Sequence, residues 1–338
     1  MSQNSSFVIS SEEISLHDIQ RASSNLSFGL CCINHTLRFP PKVSRGCPKT
    51  ASIYPNRTMV SKNFTVEKAK QLALANLDDV FKMLEWNERN GIRHYRMSSD
   101  MFPHYTNPLV ESYTLDFARE KLHDLGKLAS HLGHRITAHP GQFVQIGAHS
   151  PDVFQKSVSE LQMHTDIMNA MNISPEEGIL CIHGGGTYGD KENTIRRWID
   201  QFDELPMDIQ SRLAIEHCEK CYSLADVCYI SEQTGIPVIF DNLHYDCYLH
   251  LHPYEKVPPA MDLLPEVVEK WNDRGVTPVM HLAEQRIDSR VGKHSDYISR
   301  IPNVFFELVR ETDTPLHIEV EAKMKELAIL KLKSQYCY

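Results

Sequence analysis

The chain has 338 residues, of which 41% are hydrophobic and 23% charged, with a net charge of −9. That is a globular composition with ample core material; no apolar run reaches the roughly 18 residues of a membrane span, and Met1 to Gln20 is polar and acidic, without the apolar stretch of a secretory signal. The nine Cys form no regular framework, which places the chain in a reducing intracellular compartment, and the acidic balance excludes a global basic field for nucleic acid.

Residues 1–25 are rich in Ser and Asn and read as a flexible tail, leaving 26–338 as one domain. From Ser27 onward, short β-prone runs alternate with longer amphipathic stretches. Strands are expected at 27–33, 93–97, 135–138, 178–182, 212–215, 237–240, 277–280 and 316–320. Helices are expected at 65–89, with Thr65 as N-cap, and at 111–132, 152–172, 190–204, 222–234 and 262–273. Gly91, Gly133, Gly235 and Gly275 each fall just past a helix, where a left-handed residue ends it. Eight βα units without a break in composition specify a single (β/α)8 TIM-type barrel. The long segment 34–64 after the first strand lacks acidic residues and carries Arg38, Lys42, Arg45, Lys49, Arg57 and Lys62, a candidate phosphate-contacting patch.

The 18 His gain meaning from their positions. Six successive strands end on His139, His183, Glu216, Asp241, His281 and Glu321, and in a barrel these ends converge on one mouth. Each residue alone is more often a rim residue or a helix cap. Together, several carboxylates at one focus must be protonated, paired or metal-bound, and imidazole with carboxylate is a transition-metal donor set. His244, three residues past Asp241, and His294, after strand seven, add donors for a further ion. Neighbouring ions of this kind serve phosphodiester hydrolysis. No Gly-x-Ser-x-Gly elbow accompanies His183-Gly184-Gly185-Gly186, so a serine hydrolase is excluded. Cys218-x-x-Cys221 has no second pair at zinc spacing and is read as two helix residues after strand five.

Several stretches together resemble the UV damage endonucleases, the UvdE family, relatives of endonuclease IV-type abasic-site nucleases. They are Glu85-Trp86-Asn87-Glu88-Arg89-Asn90-Gly91-Ile92-Arg93, Arg96-Met97-Ser98-Ser99-Asp100, Ala138-His139-Pro140-Gly141-Gln142-Phe143, His183-Gly184-Gly185-Gly186 with Tyr188-Gly189-Asp190-Lys191-Glu192, Lys293-His294-Ser295-Asp296-Tyr297, and Glu321-Ala322-Lys323-Met324-Lys325-Glu326-Leu327. The resemblance implies a metal-dependent endonuclease that nicks damaged double-stranded DNA 5′ to cyclobutane pyrimidine dimers and 6-4 photoproducts. It implies two or three divalent ions, manganese first, with zinc, magnesium or cobalt as alternatives.

Carried over by position, His139, His183 and Glu216 hold one ion. Glu216, Asp241, His281 and Glu321 hold a second and form the catalytic set, and His244 and His294 hold a third. Gln142 and Phe143 probe the duplex at the lesion, and Asn34 lies on a loop near the damaged bases. Leu30, Asn107, Phe143 and Val279 depart from the family pattern, which has Tyr, His, Tyr and Lys at those places. The expected protein is a monomer without membrane contact, nuclear in a eukaryote and cytoplasmic otherwise. A sugar isomerase or epimerase barrel, or a barrel that binds damaged DNA without cutting it, are the competing functions; His244, His294 and the acid-free loop favour the nuclease.

Overall fold

The computed structural model describes residues 23–40 and 52–336. Most of the expected tail lies outside these residues, as do Lys42, Arg45 and Lys49 of the basic segment. Eight parallel strands form the barrel: β1 Leu26–Cys31, β2 His94–Met97, β3 Arg135–Ala138, β4 Leu180–His183, β5 Leu213–Glu216, β6 Val238–Ile239, β7 Val279–Leu282 and β8 Leu316–Val320. Each overlaps its expected strand. Their order is β6-β5-β4-β3-β2-β1-β8-β7. The remaining seam is closed by a single parallel bridge between Asp241 and His281, where the His281 N–H donates to the Phe240 carbonyl at 2.8 Å.

Helices wrap the outside: α1 Val66–Arg89, α2 Arg119–His131, α3 Pro151–Ala170, α4 Lys191–Asp203, α5 Leu224–Thr234, α6 Asn242–Leu251, α7 Ala260–Asp273, α8 Asn303–Thr312 and α9 Glu326–Gln335. Thr65 caps α1 by accepting from the Lys68 N–H, and Ala69, Ala73, Leu77, Val80 and Leu84 form its buried stripe. Gly91, Gly133, Gly235 and Gly275 all have φ between 63° and 75°, in the left-handed region a side chain disfavours. The helix expected from residue 111 starts only at Arg119. Thr114 is extended and bonds Asp116, and a 3-10 turn, Leu115–Ala118, precedes the helix. Helix α6 was not expected, because its N-cap is Asp241, read from sequence only as a ligand.

Apolar residues fill the layer between strands and helices, including Trp198, Trp271, Phe305 and Leu84. The barrel interior differs from the branched aliphatic filling usual in such barrels. Strand alternation points His94 and Arg96 of β2, Arg135 and Thr137 of β3, and His317 and Glu319 of β8 to one face, and all except His317 are buried. This polar column lies beneath the mouth.

Candidate active site

Glu216 ends β5 with 1% of its surface exposed, and four imidazoles surround its carboxylate. Oε2 lies 3.1 Å from His139 Nε2, 3.7 Å from His183 Nε2 and 3.3 Å from the Cys181 thiol that donates to it. Oε1 lies 3.0 Å from His244 Nδ1 and 3.0 Å from His281 Nδ1. The two oxygens therefore face two separate sets of donors. Burial works to raise the Glu216 pKa, but His281, His183, His244 and His139 hold the carboxyl well below its usual range.

His281 stands between two carboxylates. Nδ1 faces Glu216, and Nε2 lies 3.2 Å from Glu319 Oε2. Burial pushes its pKa down, yet Glu216, Glu319 and Glu321 outweigh that and hold it well above an ordinary histidine. His244 behaves alike: burial opposes, and Asp241 and Glu216 prevail. At His183 burial prevails, aided by His139 and His244 and opposed by Glu216, and the pKa falls to about 4.

Asp241 accepts from the His244 N–H at 2.9 Å through Oδ1, capping α6. Its Oδ2 is buried without a partner, as is His183 Nδ1. Orphaned buried donors and acceptors of this kind cost free energy unless a ligand satisfies them. Among the described residues, three groups have ligand atoms within 4.8 Å of one another: His139 with His183 and Glu216, Cys181 with Glu216 and His281, and Glu216 with Asp241 and His244. The donor set fits divalent transition metal ions.

Glu321 is shared. Its Oε1 lies 2.5 Å from Arg96 Nη1 and 3.6 Å from His281 Nδ1, and its Oε2 lies 3.6 Å from His294 Nδ1. Thus His244 stands against Glu216 and Asp241, while His294 stands at the Glu321 end.

The probing residues have distinct settings. Gln142 is exposed and the Phe143 ring is 57% exposed, so Phe143 is not a core residue. A Cβ on Gly141 would come 2.4 Å from Phe143 Cε1, so glycine lets the ring fold back over the loop. Phe143 also lines a cleft of about 480 Å³ with Thr58, Asp100, Tyr105, Lys156 and Glu160. Asn34 is 1% exposed and caps the short helical turn His35–Arg38 through the Leu37 N–H. Its Nδ2 is buried without a hydrogen-bond partner. The same turn is held by Glu326, which accepts from the His35 and Thr36 N–H groups at 2.7 Å each.

Other sequence expectations change in detail. Arg57 pairs with Asp79 at 2.6 Å and Arg38 lies over the Tyr54 ring, so both tie the first loop to itself and to α1. Cys218 and Cys221 are not helical. They lie in the loop before α5, where Cys218 Sγ accepts from the Cys221 and Tyr222 N–H groups. His104 is fixed by the Met59 carbonyl and the Asn107 amide, and Leu30 and Val279 are buried. Gly184 packs against the Tyr222 ring, where a Cβ would come within 2.8 Å, so that glycine serves packing.

Sequence reading passed over Cys181, Arg96 and Glu319. The signal was present: Cys181 and Glu319 each precede a named ligand by two residues and so share its inward face.

The profile of the family described as UV-endonuclease UvdE matches residues 26–337. A putative UV-damage endonuclease of Acanthamoeba polyphaga mimivirus is 33% identical over 319 residues, 92% of this chain and 91% of that protein. The UV-damage endonuclease of Schizosaccharomyces pombe is 30% identical over 91% of this chain, which spans only half of that longer protein. The UV DNA damage endonuclease of Clostridium perfringens is 32% identical over 86% of this chain and 69% of its own length. The crystal structure of SacUVDE superposes with a TM-score of 0.77 at 28% identity, over 92% of this chain and 97% of that one. An L-ribulose 3-epimerase reaches a TM-score of 0.50 at 12% identity, over 77% of this chain and 81% of that one, a likeness of barrel fold alone. With its profile matched along the barrel and its strand-end donors gathered around Glu216, the chain belongs to the UvdE family of UV-damage endonucleases.

Proposed function

We propose that the protein nicks duplex DNA on the 5′ side of UV photoproducts by metal-assisted phosphodiester hydrolysis. The observation that carries this is the Glu216 carboxylate, whose two oxygens face separate imidazole sets. That arrangement suits a carboxylate bridging two cations.

His139, His183 and Glu216 would hold one ion, and Glu216, Asp241, His281 and Glu321 a second. The compact grouping of Glu216, Asp241 and His244 supports counting His244 toward the second set, with His294 serving beside Glu321. Manganese is the first candidate, followed by zinc, magnesium and cobalt. Bound divalent ions supply an activated water and stabilise the charge that develops on the phosphate and leaving oxygen.

The chain's own residues do the rest. Glu319 faces His281 Nε2, which leaves Nδ1 directed at the centre. Arg96 spans Glu319 and Glu321 and limits the negative charge gathered there. Phe143 offers a flat exposed ring to a gap in a base stack, and Gln142 offers a donor and an acceptor to base edges. Damaged steps unstack at lower cost, so the lesion is read through deformability.

The test is incubation of a UV-irradiated, end-labelled duplex with purified protein and Mn²⁺, resolved on a sequencing gel. Bands ending immediately 5′ of dipyrimidine sites, absent with chelator, are the expected result. An uncut irradiated duplex under conditions where the metal is shown to bind overturns the reading.

A further inference from the structure

The loop between β7 and α8 contains a small hairpin whose tip, residues 286–293, holds none of the proposed metal ligands. Gln285 and His294 form an antiparallel bridge, and the Arg286 N–H donates to the Lys293 carbonyl at 2.7 Å. The Gln285 side chain staples the interior of the loop. Its amide nitrogen donates to the Arg286 and Arg290 carbonyls, and its oxygen accepts from the Gly292 N–H. Beneath it, Val291 packs on Leu243, Cys247 and Ala283, a small apolar cluster separate from the main core. The hairpin is thus a built element.

Its tip is the unusual part. Ile287 is 85% exposed, although Val291 of the same loop is turned inward. Arg286, Arg290 and Lys293 surround it, all exposed, with Lys323 of the neighbouring loop close by. Arg286 makes one long ion pair, 3.6 Å to Asp296, and remains 45% exposed. The nearby acids are Asp288, which takes the left-handed turn position at φ 52°, Asp296, and Glu219, which lies against Gly292 near the base of the hairpin. A cationic cluster around an exposed aliphatic side chain, on a chain of net charge −9, calls for an anionic partner with an apolar interior. Duplex DNA has that chemistry, with phosphates outside and stacked bases within. The hairpin also begins and ends at the centre, since His294 closes it and stands 3.6 Å from Glu321.

We propose that this hairpin is a second duplex-contacting element, in which Ile287 wedges against base or sugar edges while Arg286, Arg290 and Lys293 neutralise the flanking phosphates. The inference rests on the DNA-nicking function above and adds to the Phe143 probe on the β3 loop. It separates the two contributions: the wedge is insensitive to salt and the cations are not.

The test compares the full chain with Ile287→Ser and with the double variant Arg286→Ala/Arg290→Ala. Binding to a UV-irradiated, labelled duplex is measured across a salt series, beside melting temperature and metal content. Both variants should melt and load metal as the parent does. Ile287→Ser should weaken binding by about threefold to tenfold with the salt slope unchanged. The double variant should lower the slope of log affinity against log salt by about 0.9 for each phosphate that is no longer neutralised. Parent-like binding by both variants, with the parent cutting normally, overturns the hairpin's role. Parent-like binding together with self-association of the parent that Ile287→Ser abolishes assigns the tip to protein contact and also overturns it. A parent that neither binds nor cuts irradiated DNA removes the function on which the inference rests.

Discussion

Two buried glutamates lie on opposite sides of the His281 ring, and their neighbourhoods differ. Glu319 is satisfied by the protein itself: Arg96 at 3.0 Å, His94 at 2.9 Å, Thr137 at 2.5 Å and His281 at 3.2 Å. Arg96 is permanently charged and supplies a fixed positive charge to Glu319, which it shares with Glu321. Among the described residues, Glu216 has no Arg or Lys in ion-pair range; its neighbours are imidazoles and a thiol. Imidazoles can give up their protons, and a cation then takes the protons' place. One glutamate is complete within the fold, while the other is arranged for something the fold does not contain.

The largest expected effect is on Glu216. Glu216→Gln should reduce incision of irradiated duplex by more than about 100-fold, since even outer partners of metal ligands cost ~10–100-fold. Melting temperature should stay near that of the parent without metal. Full cleavage by the folded variant would end the bridging assignment. Glu319 should instead register as stability. Glu319→Ala removes the partner of His94 and one of the two carboxylates on Arg96, which keeps Glu321, and should lower the free energy of urea unfolding by about 1–3 kcal/mol. Glu319→Gln keeps the shape and should lower metal affinity about 10–100-fold by calorimetry. If Glu319→Gln abolished metal binding as fully as Glu216→Gln, the distinction between the two would collapse.

Phe143→Ala probes the outer edge of the same mouth. It should leave melting and metal content nearly unchanged and weaken binding to damaged duplex by about 1–3 kcal/mol. A large fall in melting temperature, with lesion discrimination kept, would instead make the ring structural. The smallest effect belongs to the floor of the barrel. Burial, His94 and Arg135 push His317 down to about 2, and its Nδ1 lies 3.3 Å from Arg135 Nη1. The unfolded chain takes up this proton below about pH 6.5 and the folded chain does not, so stability is lost as pH falls through that range. The slope is at most about 1.4 kcal/mol per pH unit. His317→Gln should flatten the unfolding free energy against pH by up to that one proton between about pH 6 and 4. An unchanged profile would show that His317 is protonated in the fold.

The same contrast explains what could be read from sequence. The eight strands and the ligands at their ends follow local rules of β propensity, alternation and convergence at one mouth. The gathering of His139, His183, Glu216, Asp241 and His281 at one mouth was legible because each sits at, next to or just beyond a strand end. The part played by Arg96 was not, because it exists only through partners on another strand, Arg96 reaching Glu319 across 223 positions of sequence. Asn34 was placed on the right loop, but its burial depends on a turn held by Glu326, 291 positions from His35. Arg57 looked like a phosphate contact until Asp79, on the buried face of α1, claimed it. Local pattern finds where the chemistry is offered; long-range pairing decides which charges are already spent.

The β6–β7 seam carries a mechanical consequence. Strand β6 has two residues, and the barrel closes there through one bridge whose members are Asp241 and His281. Both belong to the proposed second-ion set, so a cation held between them would span a joint that, like β3–β4, is made by one residue pair. Binding free energy deposited at that joint is also closure free energy. Under the proposed assignment, the second ion would sit at one of the barrel's two single-pair joints and add its binding free energy to the closure already made there.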